Sequence, residues 1–133
     1  MTATERSVLL PINTDKNVPL MSAADKRRVI EATQSKILRE YESQYSDVVL
    51  NAFAQRIGKS MKNKFIIHLI EIIRDIGIPE FDTYSFNSDL ADKMMDSVKP
   101  HLDTLGYQFD ICHPPSGRIH FIISTEQHKC VIV

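Results

Sequence analysis

From Tyr107 to Ile123 the chain carries an alternation that constrains its fold more than any other stretch. Tyr107, Phe109 and Ile111 alternate with Gln108, Asp110 and Cys112, the Pro114-Pro115-Ser116-Gly117 segment turns the chain, and Ile119, Phe121 and Ile123 resume the period around His120 and Ile122. Successive strand side chains point to opposite faces, so this pattern predicts a β-hairpin with one apolar face. A lone two-stranded hairpin is at best marginally stable in water. Other elements must therefore cover that face. The opposite face carries Gln108, Asp110, His120 and Ile122, and Ile122 is its apolar exception, a candidate contact for another part of the chain or for a partner.

The covering elements read as helices. Ser22 is a good N-cap with Asp25 three residues on, and Val29, Ile30, Ile37, Leu38, Tyr41, Tyr45, Val48, Val49, Ala52, Phe53 and Ile57 recur mostly at three- and four-residue spacing. A break near Ser43–Ser46 divides this helix, and Gly58 is expected to stop it in a left-handed conformation. Ser60 is expected to cap a second, central helix through Phe65–Ile76, apolar on nearly every side and ended by Gly77 before Pro79. Asp82–Phe86 reads as an extended segment and a candidate third strand. From Asn87 or Ser88 a third helix follows, with Leu90, Met94, Val98, Leu102 and Leu105 as its apolar stripe, Pro100 as a kink and Gly106 as its end.

The fold class that results is α+β: three main helices packed on a small antiparallel sheet dominated by the C-terminal β-hairpin. Residues 1–21, interrupted by Pro11 and Pro19, read as an extended N-terminal arm, residues 22–124 as a single domain, and residues 125–133 as a C-terminal tail. A chain of 133 residues has the length of one core, not two. No apolar stretch is long enough for a membrane span and the first residues form no signal pattern, so an intracellular location is expected.

Charge is balanced in total, with 16 Lys and Arg against 17 Asp and Glu, which argues against a non-specific nucleic-acid coat protein. It is uneven along the chain. Residues 22–64 are basic and residues 65–110 acidic. Within the basic part, Lys26, Arg27 and Arg28 form one cluster and Arg56, Lys59, Lys62 and Lys64 another. The second cluster bridges two expected helices, where backbone donors at a helix N-terminus would add to the lysines in holding phosphate. These seven residues are the candidate phosphate or nucleic-acid contacts.

Enzymatic chemistry finds little footing. His68 and Glu71, three apart on the expected second helix, could share a metal, but no second pair of this kind completes a helical di-metal site. His101, His113, His120 and His128 lack ligand spacing, Asp89, Asp92, Asp96 and Asp103 read as a solvated helix face, and Ser116 sits in a turn without a nucleophile elbow. Neither a catalytic residue nor a cofactor is expected. Cys112 and Cys130 read as reduced thiols; Cys130-Val131-Ile132-Val133 formally matches a prenylation signal, but its last residue is atypical and an apolar docking strand explains it better.

Residues 84–124, a helix ending in Leu105-Gly106-Tyr107 and followed by a hairpin, resemble small proteins of bacteriophages and large DNA viruses. The resemblance implies a viral accessory or structural protein, a virion component among the options, and brings no catalytic residues. The functional expectation is accordingly a non-enzymatic interaction protein. It would bind other protein chains or copies of itself through its terminal arms, with Val8, Leu9, Leu10, Ile122, Val131 and Ile132 as candidate contacts. The alternative is a nucleic-acid or phosphate-binding module using the basic 56–64 segment.

Overall fold

A computed structural model describes residues 19–115 and 117–126. The expectations placed on Val8, Leu9, Leu10, Ser116, His128, Cys130, Val131 and Ile132 lie outside the described residues. The chain divides into two compact units, Met1–Thr33 and Gln34–Val133, and the boundary falls inside the first helix, α1 (Ala23–Arg39). In the first unit Ser22 caps α1 as expected, its Oγ accepting the Asp25 N–H at 3.1 Å. Val29, placed on the apolar stripe by its spacing, is 47% exposed.

The second unit begins with the last turns of α1, which bury Ile37. A π-helical turn, Tyr41–Tyr45, then separates α1 from α2 (Ser46–Lys59), so the expected break is present. Tyr41 is fully buried and its hydroxyl lies 2.8 Å from Ser97 Oγ. Burial pushes this phenol up to about 12, with the Ser97 hydrogen bond opposing the shift. The expected left-handed stop at Gly58 is not formed: among the described residues only Gly77 and Gly106 have positive φ. Helix α2 instead runs through Gly58 and ends at Ser60, whose φ of −77° and ψ of 135° are extended.

The largest departure from the sequence reading comes next. In place of one helix from Ser60 to Ile76, the chain forms strand β1 (Lys64–His68) and then a short helix, α3 (Leu69–Ile76). A continuous apolar run is compatible with either element, and period alone does not separate them. Pairing decides: β1 lies antiparallel to the second strand of the hairpin, with Ile66 opposite Ile122 and Ile67 opposite Phe121. Leu69, Ile72 and Ile73 are buried on α3, which ends at Gly77 as expected, φ being 80°.

The candidate strand at Asp82–Phe86 is likewise replaced. Helix α4 (Tyr84–Thr104) starts earlier than the sequence suggests, at the extended Thr83, and buries Phe86 together with Leu90, Met94, Val98 and Leu102. Leu105, assigned to the same stripe, lies past the helix end and is 71% exposed. Pro100 lies within the helix. The hairpin is as expected, with β2 (Gln108–Cys112) and β3 (His120–Ser124) antiparallel in the order β1-β3-β2. The protein is thus α+β, with four helices and a three-stranded antiparallel sheet among the described residues.

One sheet face carries Ile67, Phe109, Phe121 and Ile123, all buried. Helix α2 packs on it: Phe53 lies edge-on against Phe109 at 5.5 Å and Phe121 at 5.0 Å, and those two rings stack at 5.6 Å. Aromatic pairs at such offsets add stabilisation beyond the area they bury.

Phe121→Ala, which removes the ring shared by both hairpin contacts, is expected to cost about 3–5 kcal/mol in urea unfolding. The glycines give a sharper contrast. Nothing lies within 4 Å of a Cβ added at Gly58 or at Gly77, but Gly77 has a φ of 80°. Gly58→Ala should therefore stabilise by roughly 0.5–1 kcal/mol, while Gly77→Ala should destabilise by about 1 kcal/mol, both read as shifts of the urea midpoint.

Candidate anion-binding cleft

Where α2 ends and β1 begins, the chain turns within four residues. The Ser60 N–H donates to Arg56 O at 3.2 Å and Ile57 O at 3.3 Å, closing the helix. Ser60 Oγ accepts the Lys62 N–H at 3.3 Å. Asn63 then ties the start of β1 to the far end of β3, its carbonyl accepting the Thr125 N–H at 2.8 Å and its Oδ1 accepting the Thr125 hydroxyl at 3.0 Å. Beside this turn lies an open cleft of about 840 Å³, lined by Arg56, Lys59 and Ser60 from α2, Lys62 from the connector, Lys64 to Ile67 from β1, Glu71 from α3 and Ile122 from β3.

The structure therefore brings together Arg56, Lys59, Lys62 and Lys64, as their spacing suggests, but on a different scaffold. No helix N-terminus stands at Ser60, so the backbone donors expected there are missing; an extended connector and an edge strand take their place. Lys26, Arg27 and Arg28 belong to the other unit, where Arg28 pairs with Asp25.

Arg56 is not available to a ligand in the way the lysines are. Its Nε and Nη2 donate to the two carboxylate oxygens of Asp75 at 2.6 and 3.0 Å, and its Nη1 donates to Glu71 at 3.2 Å. This bidentate pair holds α2 to α3. Its hydrogen bond is the main cause holding the Asp75 carboxyl below its ordinary range, against the opposing effect of partial burial; Lys59 contributes at longer range. Lys59, Lys62 and Lys64 have no ion-pair partner among the described residues. Among the described residues the only acidic one lining the cleft is Glu71, which is engaged by Arg56. The cleft thus presents three ammonium groups without an ion-pair partner among the described residues, around a largely aliphatic floor, with Ile66 51% exposed and Ile122 half-buried beside it.

Ile66 is the residue that sequence reasoning missed. Placed on a central helix it would be buried; on β1 it faces the same side as Ile122, its register partner. The available signal was the β-branched pair Ile66-Ile67 between polar Lys64 and His68, which is compatible with a short strand.

His68 and Glu71, whose spacing on one expected helix falls short of a metal pair, do not come together on a helix. His68 closes β1 and Glu71 lies on α3, so they do not share a helix face, and Glu71 is held by Arg56. His68 instead meets His120 across the sheet, ring centres 5.8 Å apart, and its Nδ1 is buried without a hydrogen-bond partner among the described residues. No group of three metal-ligating side chains able to hold an ion occurs among the described residues. Asp92 pairs with His113 and Asp103 with Lys99, and Cys112 carries a free thiol. No helix among the described residues is long and apolar enough to cross a membrane.

Comparison with known proteins gives no match among family models, curated proteins or solved structures.

A depressed carboxyl stabilises the fold fully above its unfolded value, and that contribution fades as pH falls through the folded value. The stability difference between the native chain and Asp75→Asn is accordingly expected to be about 1 kcal/mol at neutral pH, discounted because the pair is partly exposed. It should shrink below about pH 4. Urea unfolding at a series of pH values measures it.

Proposed function

We propose that this chain is a non-enzymatic interaction protein, in keeping with the viral accessory role that residues 84–124 suggest, and that it engages an anionic partner in the cleft beside β1. The observation that carries this reading is the set of three lysines, Lys59, Lys62 and Lys64, without ion-pair partners among the described residues, gathered around an exposed aliphatic floor. Exposed cations on a solvated helix face ordinarily have acidic neighbours or water around them; here they border a concavity that also leaves apolar surface in contact with water. A partner carrying negative charge would compensate the first feature and cover the second.

The reading makes the cleft, in place of the terminal arms, the principal attachment surface. Nucleic acid and acidic protein are both anionic partners in this sense, and both would show the same dependence on these lysines. Association driven by charge should weaken as salt rises.

Fluorescence anisotropy of the full chain with labelled poly-glutamate and with a labelled oligothymidylate, at about 50 and 200 mM salt, tests the proposal. At least one probe should bind, more weakly at the higher salt. Replacing Lys59, Lys62 and Lys64 together by Ala should lower its affinity by at least about tenfold, since each charge contact contributes a fraction of the total. Absence of binding by both probes, or binding indifferent to the cleft lysines, would overturn the reading.

A further inference from the structure

Resting on that anionic-partner reading, we infer that the occupant of the cleft is an extended acidic segment of another polypeptide, which adds to β1 as a fourth strand of the sheet. The sheet order β1-β3-β2 leaves β1 at an edge. The register settles which of its backbone groups point outward. Asn63 accepts from Thr125 and Leu69 donates to Ile119, at 2.8 and 3.0 Å, so the residues of β1 bonded to β3 are the odd-numbered ones. In an antiparallel ladder the intervening residues direct their N–H and C=O groups away from that neighbour. Lys64 and Ile66 therefore present four backbone groups to the open side, and no strand of the described residues pairs with that edge.

The cleft lies along this edge, since Lys64, Phe65, Ile66 and Ile67 are consecutive lining residues. Five residues of strand extend about 16 Å at ~3.3 Å each, enough to pair with a short peptide in main-chain register. In strand addition the main chain supplies affinity and alternate side chains supply selectivity. An incoming strand that alternates acidic and aliphatic residues turns its carboxylates to the face that carries Lys64 and its aliphatic groups to the opposite face, beside Phe65.

Two other occupants fit less well. A second copy of the chain paired through β1 would bring Lys62 and Lys64 of each copy to one edge, and like charges facing each other across strands are destabilising. Single-stranded nucleic acid is ordinarily held by aromatic platforms on which bases stack. Here the most exposed apolar residue of the floor, Ile66, is aliphatic, and Phe65, the aromatic among the described lining residues, is half-buried and faces the other side of the sheet.

The test uses the full chain and an eight-residue peptide of alternating Glu and Val, with two further versions N-methylated either at every Val nitrogen or at every Glu nitrogen. Methylation removes the donors on one edge of the peptide and keeps its charge. The unmodified peptide should bind. One methylated version should bind roughly tenfold or more weakly, the loss expected from two or so hydrogen bonds, and the other should bind much as the parent does. In hydrogen exchange the Lys64 and Ile66 amides should slow on binding. Ile66→Pro, which removes an outward donor and leaves the β3 ladder intact, should weaken binding more than Ile66→Ala does, with circular dichroism confirming that both variants fold. Equal binding of both methylated peptides and the parent, with Lys64 and Ile66 exchange unaltered, would overturn strand addition while leaving the anionic-partner reading in place. Binding of the oligothymidylate but not of the peptide would also overturn it, making the partner a nucleic acid. Failure of poly-glutamate and oligothymidylate alike would remove both proposals.

Discussion

Three phenylalanine rings hold the second unit together. Phe53 comes from α2, Phe109 from β2 and Phe121 from β3, the central strand, and all three are fully buried in mutual contact. Because β3 is bonded to both neighbouring strands, the packing of Phe121 under α2 sets the position of the whole sheet against the helices. The faces of all three strands follow from it. Ile67, opposite Phe121 in register, must turn inward, and Ile66 must then turn outward.

The cleft inherits its geometry from this arrangement. Helix α2 is held over the sheet by Phe53 and joined to α3 by the Arg56–Asp75 pair, and its last turn therefore ends close to the start of β1. The connector has little slack: Ser60, Lys62 and Asn63 are all engaged in hydrogen bonds. Lysines that are merely neighbours in sequence become the rim of one concavity. Arg56, the cation most easily mistaken for part of the binding set, is consumed by the tie that builds the site.

Legibility in the sequence was uneven, and the unevenness has a physical pattern. The hairpin could be read because period-two alternation with a proline-rich turn has few alternatives, and the α4 stripe from Leu90 to Leu102 because helical spacing persists over several turns. The run Phe65–Ile73 could not, since apolar residues in sequence carry no period. Asp82–Phe86 failed for a related reason: Tyr84 and Phe86 mimic alternation over too few residues, whereas Phe86 is buried from the first turn of a helix and stacks edge-on with Phe81 at 4.8 Å. Gly58 shows that a glycine is permitted a left-handed stop without being required to form one.

By itself the sequence determined the class of the protein, the hairpin and its inner face, the Ser22 cap, the Gly77 stop and the nearness of Lys59, Lys62 and Lys64 along the chain. These are local properties, set by side-chain period, backbone freedom and spacing. Tertiary structure alone decided that Lys64–His68 is a strand, that it lies at a sheet edge, that Ile66 faces outward and that Arg56 is neutralised by Asp75 and Glu71. Each of those depends on a partner distant in sequence: β3 for the strand and its register, and α3 for the arginine. Pairing energy is gained only when such segments meet, and no local pattern records which segments will do so.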